Sequence, residues 1–334
     1  MYLHPCMANS TDRNTAFLNE TCSNFTIPGI DYMMKSVKDT MRITSMISYS
    51  IIALSVLGNS TIIGIVLRNK SMRTKANVLI VNMAVSDLLA TFFALPRSLY
   101  VAITKSPEWE STSALAEASC KLVPFAREVS CAVSIFSIVA IALDRFYAIV
   151  IPLAQKPRLL KHKFVIPGIW VAAIAANALY LYAFQVKFLQ HTAITVCFEL
   201  LSNQQRRIFD TFRFVSFIAV PLIAIICLYS AVVLTMARRP ALASTTRRRR
   251  QNQKIVQLAV TITVVFFISW VPYYISLLLF VFDKLNPYFL SPYSALILIV
   301  LEKAFEILTY AGFAINPIIC LIFSSNFRKH IYFV

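Results

Sequence analysis

Seven stretches of the chain are mostly apolar for longer than any single strand requires. They run approximately over Thr44–Leu67, Asn77–Tyr100, Cys120–Ile151, Phe164–Val186, Phe209–Met236, Ile255–Phe282 and Tyr293–Phe323. A bilayer core of about 30 Å takes roughly 20 such residues as helix. Strands of a membrane barrel need only about 9–11. The pattern predicts an all-α membrane protein, a seven-transmembrane helix bundle. Residues 1–43 form a polar tail before it, residues 44–323 the bundle, and residues 324–334 a short end segment. None of the runs reads as an N-terminal signal peptide, so the first helix is expected to direct insertion itself.

Composition agrees. Hydrophobic residues make up 58% of the 334 and charged residues 14%, with a mean hydropathy of +0.69. Soluble domains are nearer 45–50% apolar and about 25% charged. The length alone would suit about two soluble domains, but the apolar runs overrule that. No internal repeat is visible.

The net charge of +17 is a topology signal. The first link carries Arg68, Lys70, Arg73 and Lys75, and the third Lys156, Arg158, Lys161 and Lys163. The fifth carries Arg238, Arg239, Arg247 to Arg250 and Lys254, with no acid. The alternate links are mixed: Lys105 with Glu108, Glu110 and Glu117; Lys187, Arg206 and Arg207 with Glu199 and Asp210; Asp283 with Lys284. The basic links are therefore expected to face the cytoplasm and the N-terminus the exterior. Nucleic acid is not an expected partner, because the bases sit beside spans and no soluble domain carries them. The run at Arg247 to Arg250 reads either as a contact for anionic membrane lipids or as a solvated anchor.

Three acceptor patterns for glycosylation, at Asn9, Asn19 and Asn24, fit an exterior tail. Cys120 and Cys197 both fall at that face, where an oxidising compartment permits a bond between them; two free thiols are the alternative. Cys6 and Cys22 offer a second pair that the sequence does not decide. Cys131, Cys227 and Cys320 lie within spans and read as packing residues.

Ionisable groups inside spans cost about 2.5–3.5 kcal/mol on insertion scales, so they turn inward to one another or to a wet cavity. Asp87 sits in the middle of the second run, with Asn59, Ser134 and Asn316 at similar depth. The set reads either as a site for a small cation or as a hydrogen-bonded polar knot. Asp144-Arg145 closes the third run at the cytoplasmic side. Arg97, Arg127, Glu128, Arg213, Glu302, Lys303 and Glu306 lie in outer portions of spans. Pro96, Pro221, Pro272 and Pro317 interrupt spans, each freeing a carbonyl and permitting a kink.

In combination these residues resemble the rhodopsin-like (class A) family of G-protein-coupled receptors over residues 44–330. The landmarks are Gly58-Asn59, Asn82 with Ser86-Asp87-Leu88, Pro96, Cys120 with Asp144-Arg145-Phe146, Trp170, Cys197, Pro221 with Tyr229, Phe266 with Trp270-Val-Pro272, and Asn316-Pro317. Phe323 to His330 resembles the family's short amphipathic helix on the inner membrane face. Two positions depart from the pattern: Cys320 stands where the family has a Tyr, and Ser269 where it has a Cys before the Trp.

The resemblance implies a multi-pass plasma-membrane receptor, a disulfide between Cys120 and Cys197, and signal transduction without catalytic residues. An extracellular ligand would settle at the outer end, among Arg97, Arg127, Arg213, Trp270, Tyr273, Tyr274, Glu302 and Glu306. The sixth helix would swing at its inner end about Trp270 and Pro272, with Asn316 and Pro317 in the switch. A heterotrimeric G protein would engage Asp144, Arg145 and Tyr229. No cofactor is implied beyond an allosteric sodium ion on Asp87, Ser134 and Asn316. Arg127 stands where amine receptors of the family carry an acid, which argues against a monoamine.

Separate basic and acidic patches would suit a short peptide, and the sequences look most like neuropeptide receptors. Mutual pairing of Arg127 with the glutamates is the alternative reading of the same charges. An anionic lipid or small carboxylate is the rival ligand. A transporter lacks support because the halves show no repeat. A retinal protein lacks support because no Lys lies at mid-depth of the seventh run. An enzyme lacks support because no metal or nucleophile motif appears. With few residues after the end helix, desensitisation is expected to be weak or to use the third cytoplasmic link.

Overall fold

The computed structural model describes residues 30–104, 109, 113–153, 162–189, 194–238, 246–282 and 292–330. The three glycosylation patterns, Cys6, Cys22 and Asp283 lie outside the described residues.

Among the described residues seven helical segments are long and apolar enough to cross a membrane: Arg42–Arg68, Lys75–Val101, Ala114–Ile149, Lys163–Ala183, Asn203–Arg238, Asn252–Val281 and Val300–Phe323. They are numbered here as spans one to seven. The helix containing span one begins at Ile30, inside the segment expected to be tail. The last six described residues, Ser325–His330, form a separate short helix held under span seven. Arg328 donates to the carbonyls of Leu321 (3.0 Å) and Ile322, which satisfies two orphan acceptors at the end of that span.

The third span is the hub. Of its apolar window 61% is buried, against 22% for the fourth, which therefore lies at the rim. Val133, Ile135, Ile138 and Ala142 fill the centre. Lipid tails are as apolar as these side chains, so close packing and interhelical hydrogen bonds must hold the bundle. Several polar contacts among the described residues do this, two of them near the first and fourth spans. Trp170 Nε1 donates to Asn82 Oδ1 (2.9 Å), and Asn82 Nδ2 to Ser137 Oγ (3.0 Å), joining spans four, two and three. Asn59 Nδ2 donates to Ser55 O and to Phe313 O, both 3.0 Å, joining spans one and seven. Gly58 allows that approach: a Cβ there would stand 2.6 Å from Pro317 Cγ.

Pro96, Pro272 and Pro317 lie within continuous helices, as do Pro124 and Pro167. Span five instead absorbs its proline with a π-helical turn over Val215–Ala219, immediately before Pro221. The fourth span is broken at Ala178 and ends at Ala183. The run expected to be helix as far as Val186 turns there into strand β1 (Phe184–Leu189), which pairs antiparallel with β2 (Ile194–Glu199). Alternation in a short apolar run is compatible with either state, and tertiary anchoring decides. Val186 N donates to Glu117 Oε2 (2.8 Å), and Trp109 N donates to Thr195 O (3.0 Å). Cys120 and Cys197 are bonded, tying β2 to span three at a Cα separation of 5.6 Å. Cys131 and Cys320 are buried as packing residues, but Cys227 lies on the exposed face of span five.

Candidate functional site

At the disulfide end of the bundle, charged side chains from three spans and the hairpin meet in one line, with two tyrosines of a fourth span against it. Lys303 Nζ donates to Glu306 Oε2 (2.8 Å), and Arg127 Nη1 donates to Glu306 Oε1 (3.2 Å). Arg127 Nη2 lies 3.4 Å from Glu128 Oε1 and also donates to the Tyr273 hydroxyl. Glu128 Oε2 pairs with Arg213 Nη2 and accepts from the Tyr274 hydroxyl (2.7 Å). Arg213 Nη1 donates to Asp210 Oδ1 (3.0 Å). Arg206 then bridges Asp210 (3.6 Å) and Glu199 of β2 (3.5 Å). Four acids alternate with four bases, so the line is formally neutral. Burial pushes the Glu199 carboxyl above its ordinary range, against the pull of Arg206.

This corrects the expectation of separate basic and acidic patches. Helical spacing places each charge on the right face, but the faces of neighbouring helices interleave, and buried charges gain more from opposite neighbours than from segregation. The alternative reading, in which Arg127 pairs with a glutamate, is the one realised.

The line is closed in its middle and open at both ends. Glu128 and Arg213 side chains are 0% and 1% exposed, whereas Glu306 and Lys303 are 28% and 29%. Trp270 and Tyr274 are also buried, and Tyr273 nearly so. Trp270 stacks on Phe266 at 6.0 Å and tilts against Phe313 at 6.0 Å, below the tyrosines. Arg213 lies 5.0 Å from the Tyr180 ring and 5.0 Å from Tyr274. Of the residues predicted to meet a ligand, Arg213, Trp270 and Tyr274 thus form floor and wall. Glu306 lies at the more open end of the line, against the buried Arg127, with Glu302 within electrostatic reach of Lys303. Arg97 is apart from the line, its guanidinium stacked over Trp109 at 4.1 Å. Glu128, Lys303, Asp210, Arg206 and Glu199 belong to the site although the sequence pattern did not assign them to it. The signal was present for Lys303, three residues before Glu306 and therefore on its face.

In mid-bundle, Asp87 is fully buried. Its Oδ1 accepts from Ser130 Oγ (2.9 Å) and its Oδ2 from Asn316 Nδ2 (3.2 Å). The Ser134 hydroxyl at the same level has no hydrogen-bond partner among the described residues, and Asn59 turns to Ser55 and Phe313 instead. Below, Asn59, Asn316, Pro317, Ile262 and Cys320 line a small cavity of about 10 Å³. That is on the order of a single water, and a cavity of that size needs polar partners to hold one.

At the opposite end Arg145 pairs with Asp144, its sequence neighbour. Arg145 Nε and the Tyr229 hydroxyl are buried without hydrogen-bond partners among the described residues. The sixth helix, Thr246–Val281, contains no acid at all, so it offers Arg145 no counter-ion.

The comparisons with known proteins point one way. The family model described as 7 transmembrane receptor (rhodopsin family) matches residues 58–319. The neuropeptide FF receptor 2 of Mus musculus is 28% identical over 299 residues, covering 84% of this chain and 69% of its own length. The QRFP-like peptide receptor of Branchiostoma floridae is 27% identical, covering 93% and 82%. The RYamide receptor of Drosophila melanogaster is 28% identical, covering 94% and 67%. The family is one of receptors, not of enzymes. Landmarks in every span and a family match over most of the bundle lead to one conclusion: this chain belongs to the rhodopsin family of seven-transmembrane receptors.

Proposed function

We propose that the protein is a plasma-membrane receptor for a short extracellular peptide and that it activates a heterotrimeric G protein, with its N-terminus outside and its basic links inside. The observation that carries this reading is the charge line at the disulfide end. It offers a cation and an anion side by side over an aromatic floor, which suits a peptide with a basic residue next to an aromatic one. The names of the relatives, which include RF-amide and RYamide receptors, supply the same chemistry. An anionic lipid or small carboxylate is the rival, with Arg127 or Lys303 as its partner.

At the other end Arg145 is the transducer contact. Its local pairing with Asp144 leaves it available once the inner end of span six moves outward. A ligand drives that movement only to the extent that it binds the open-inner form more tightly than the closed one.

Asp87 has no basic partner among the described residues, and the spare Ser134 hydroxyl beside it is an oxygen donor of the kind a hard cation takes. With Asn316 they would hold a sodium ion. Bound there, the ion would neutralise the carboxylate and favour the packing of spans two, three and seven seen here. Sodium would then lower agonist affinity in the wild type and have no effect in Asp87→Asn; an equal sodium effect in both forms would remove the proposal.

The main test is calcium release through a promiscuous G protein in cells screened with short peptides, lipids and carboxylates. A peptide response that Arg145→Ala abolishes while surface binding persists supports the whole reading. Responses confined to lipids or carboxylates overturn the ligand class and leave the receptor.

A further inference from the structure

The ligand-facing end of the charge line holds two internal cations on one carboxylate. Lys303 takes Glu306 Oε2 and Arg127 takes Oε1, one nitrogen to each oxygen. That is the pattern a single guanidinium makes when it binds a carboxylate through two parallel hydrogen bonds. The two cations are not equivalent. Arg127 is held independently by Glu128 and the Tyr273 hydroxyl and is almost fully buried. Among the described residues, Lys303 has no other ion pair or hydrogen bond, and it is 29% exposed. It lies one turn before Glu306, on the side of span seven from which a ligand would enter. Glu302 is within electrostatic reach of it, an alternative anion should Lys303 let go.

We infer that Glu306 is the subsite for a cationic group of the ligand and that Lys303 is a built-in competitor occupying that subsite until the ligand displaces it. This inference rests on the peptide-receptor reading above and adds the residue that sets selectivity. Lysine suits the part better than arginine would. Its ammonium is a strongly hydrated point charge on a flexible stem, held here by one hydrogen bond, whereas an incoming guanidinium presents a rigid fork to the freed Oε2 and to the second lone pair of Oε1 beside Arg127. Exchange therefore favours a ligand arginine over the resident lysine, and over a ligand lysine. The closed centre of the line, Glu128 with Arg213, keeps the floor in place while its end changes partners.

The consequence runs against ordinary intuition: removing a charge from the pocket strengthens binding. The test compares wild type, Lys303→Gln, Lys303→Arg and Glu306→Gln at matched surface expression. The probes are two short synthetic amidated peptides, one ending in arginine-phenylalanine-amide and one in which citrulline replaces that arginine. Citrulline keeps the shape and loses the charge. Lys303→Gln is expected to lower the EC50 of the arginine peptide roughly three- to fivefold, the upper end for one partly exposed ion pair. It should leave the citrulline peptide within about twofold, since a neutral group does not compete for the carboxylate. Lys303→Arg should not reproduce the gain, and Glu306→Gln should abolish the preference for arginine. Lys303→Met, which keeps the apolar stem, gives a second reading should Lys303→Gln reach the surface poorly. Unchanged or weaker response to the arginine peptide in both neutral variants overturns the inference alone, as does an equal gain for both peptides. No response to either peptide in any form overturns it together with the peptide-receptor reading.

Discussion

The two ends of the bundle treat their charged residues in opposite ways. At the disulfide end, eight charged side chains from three spans and the hairpin link into one line, and most of its members have two partners. At the basic end Arg145 has its neighbour Asp144, and the helix beside it has no acid. The first arrangement resists movement between helices, because separating them would strand buried charges. The second costs little to rearrange, because an i,i+1 pair travels with its own helix. A receptor needs this asymmetry: a cross-linked end that reads the ligand and a loosely tied end that opens.

The largest effect expected is at the closed centre of the line. Glu128→Gln removes the carboxylate shared by two buried arginines, which for a broken buried pair costs about 3–5 kcal/mol. Thermal unfolding of the detergent-solubilised protein should show the loss. Stability within about 1 kcal/mol of wild type would mean that the line is not cross-linking the helices.

Next is the tightest contact between spans one and seven. Gly58→Ala places a methyl group 2.6 Å from the rigid ring of Pro317. Overpacking of this kind costs about 1–3 kcal/mol. Gly168→Ala is the control: it meets nothing within 4 Å and is expected to be neutral or to stabilise by up to about 1 kcal/mol, as for glycine replaced within a helix. Equal melting temperatures for the two variants would break the argument.

Cys320→Tyr should follow. The side chain is buried against a cavity of about 10 Å³, too small for a phenol ring, so the closed packing seen here would be strained by about 1–3 kcal/mol. Ligand-free signalling is expected to rise if the opened form has more room. Unchanged stability and basal signal would show that the ring fits without rearrangement.

The smallest effect belongs to the open end of the line. Glu306→Gln leaves Arg127 with Glu128 and Tyr273, so its stability cost should stay within about 1 kcal/mol. A large loss there would erase the distinction between a structural centre and an exchangeable end.

Much of this was legible before any coordinates. Seven runs near bilayer length leave few options for the backbone, so the count and order of the spans follow from the chain alone. The pairing of Asp87 with Asn316 was readable as a polar knot because a carboxylate at mid-depth must find donors. The hairpin was not readable, since Phe184 to Val186 continue an apolar run and become a strand through contacts with Glu117 and Cys120. Nor was the π-helical turn before Pro221. The charge line was half legible: its members could be named, but not who holds whom.

Sequence by itself determined which residues lie in the membrane, which face of each helix carries charge, and which family landmarks stand in order. Those are local matters, set by length, a period of about 3.6 residues and side-chain chemistry. Only the tertiary structure decided that Arg127 meets Glu306 across 179 residues, that Tyr274 meets Glu128 across 146, and that Lys303 fills the second oxygen of Glu306. The rotation of one helix against another fixes those partners. That rotation comes from packing over the whole bundle, to which no single segment holds the key.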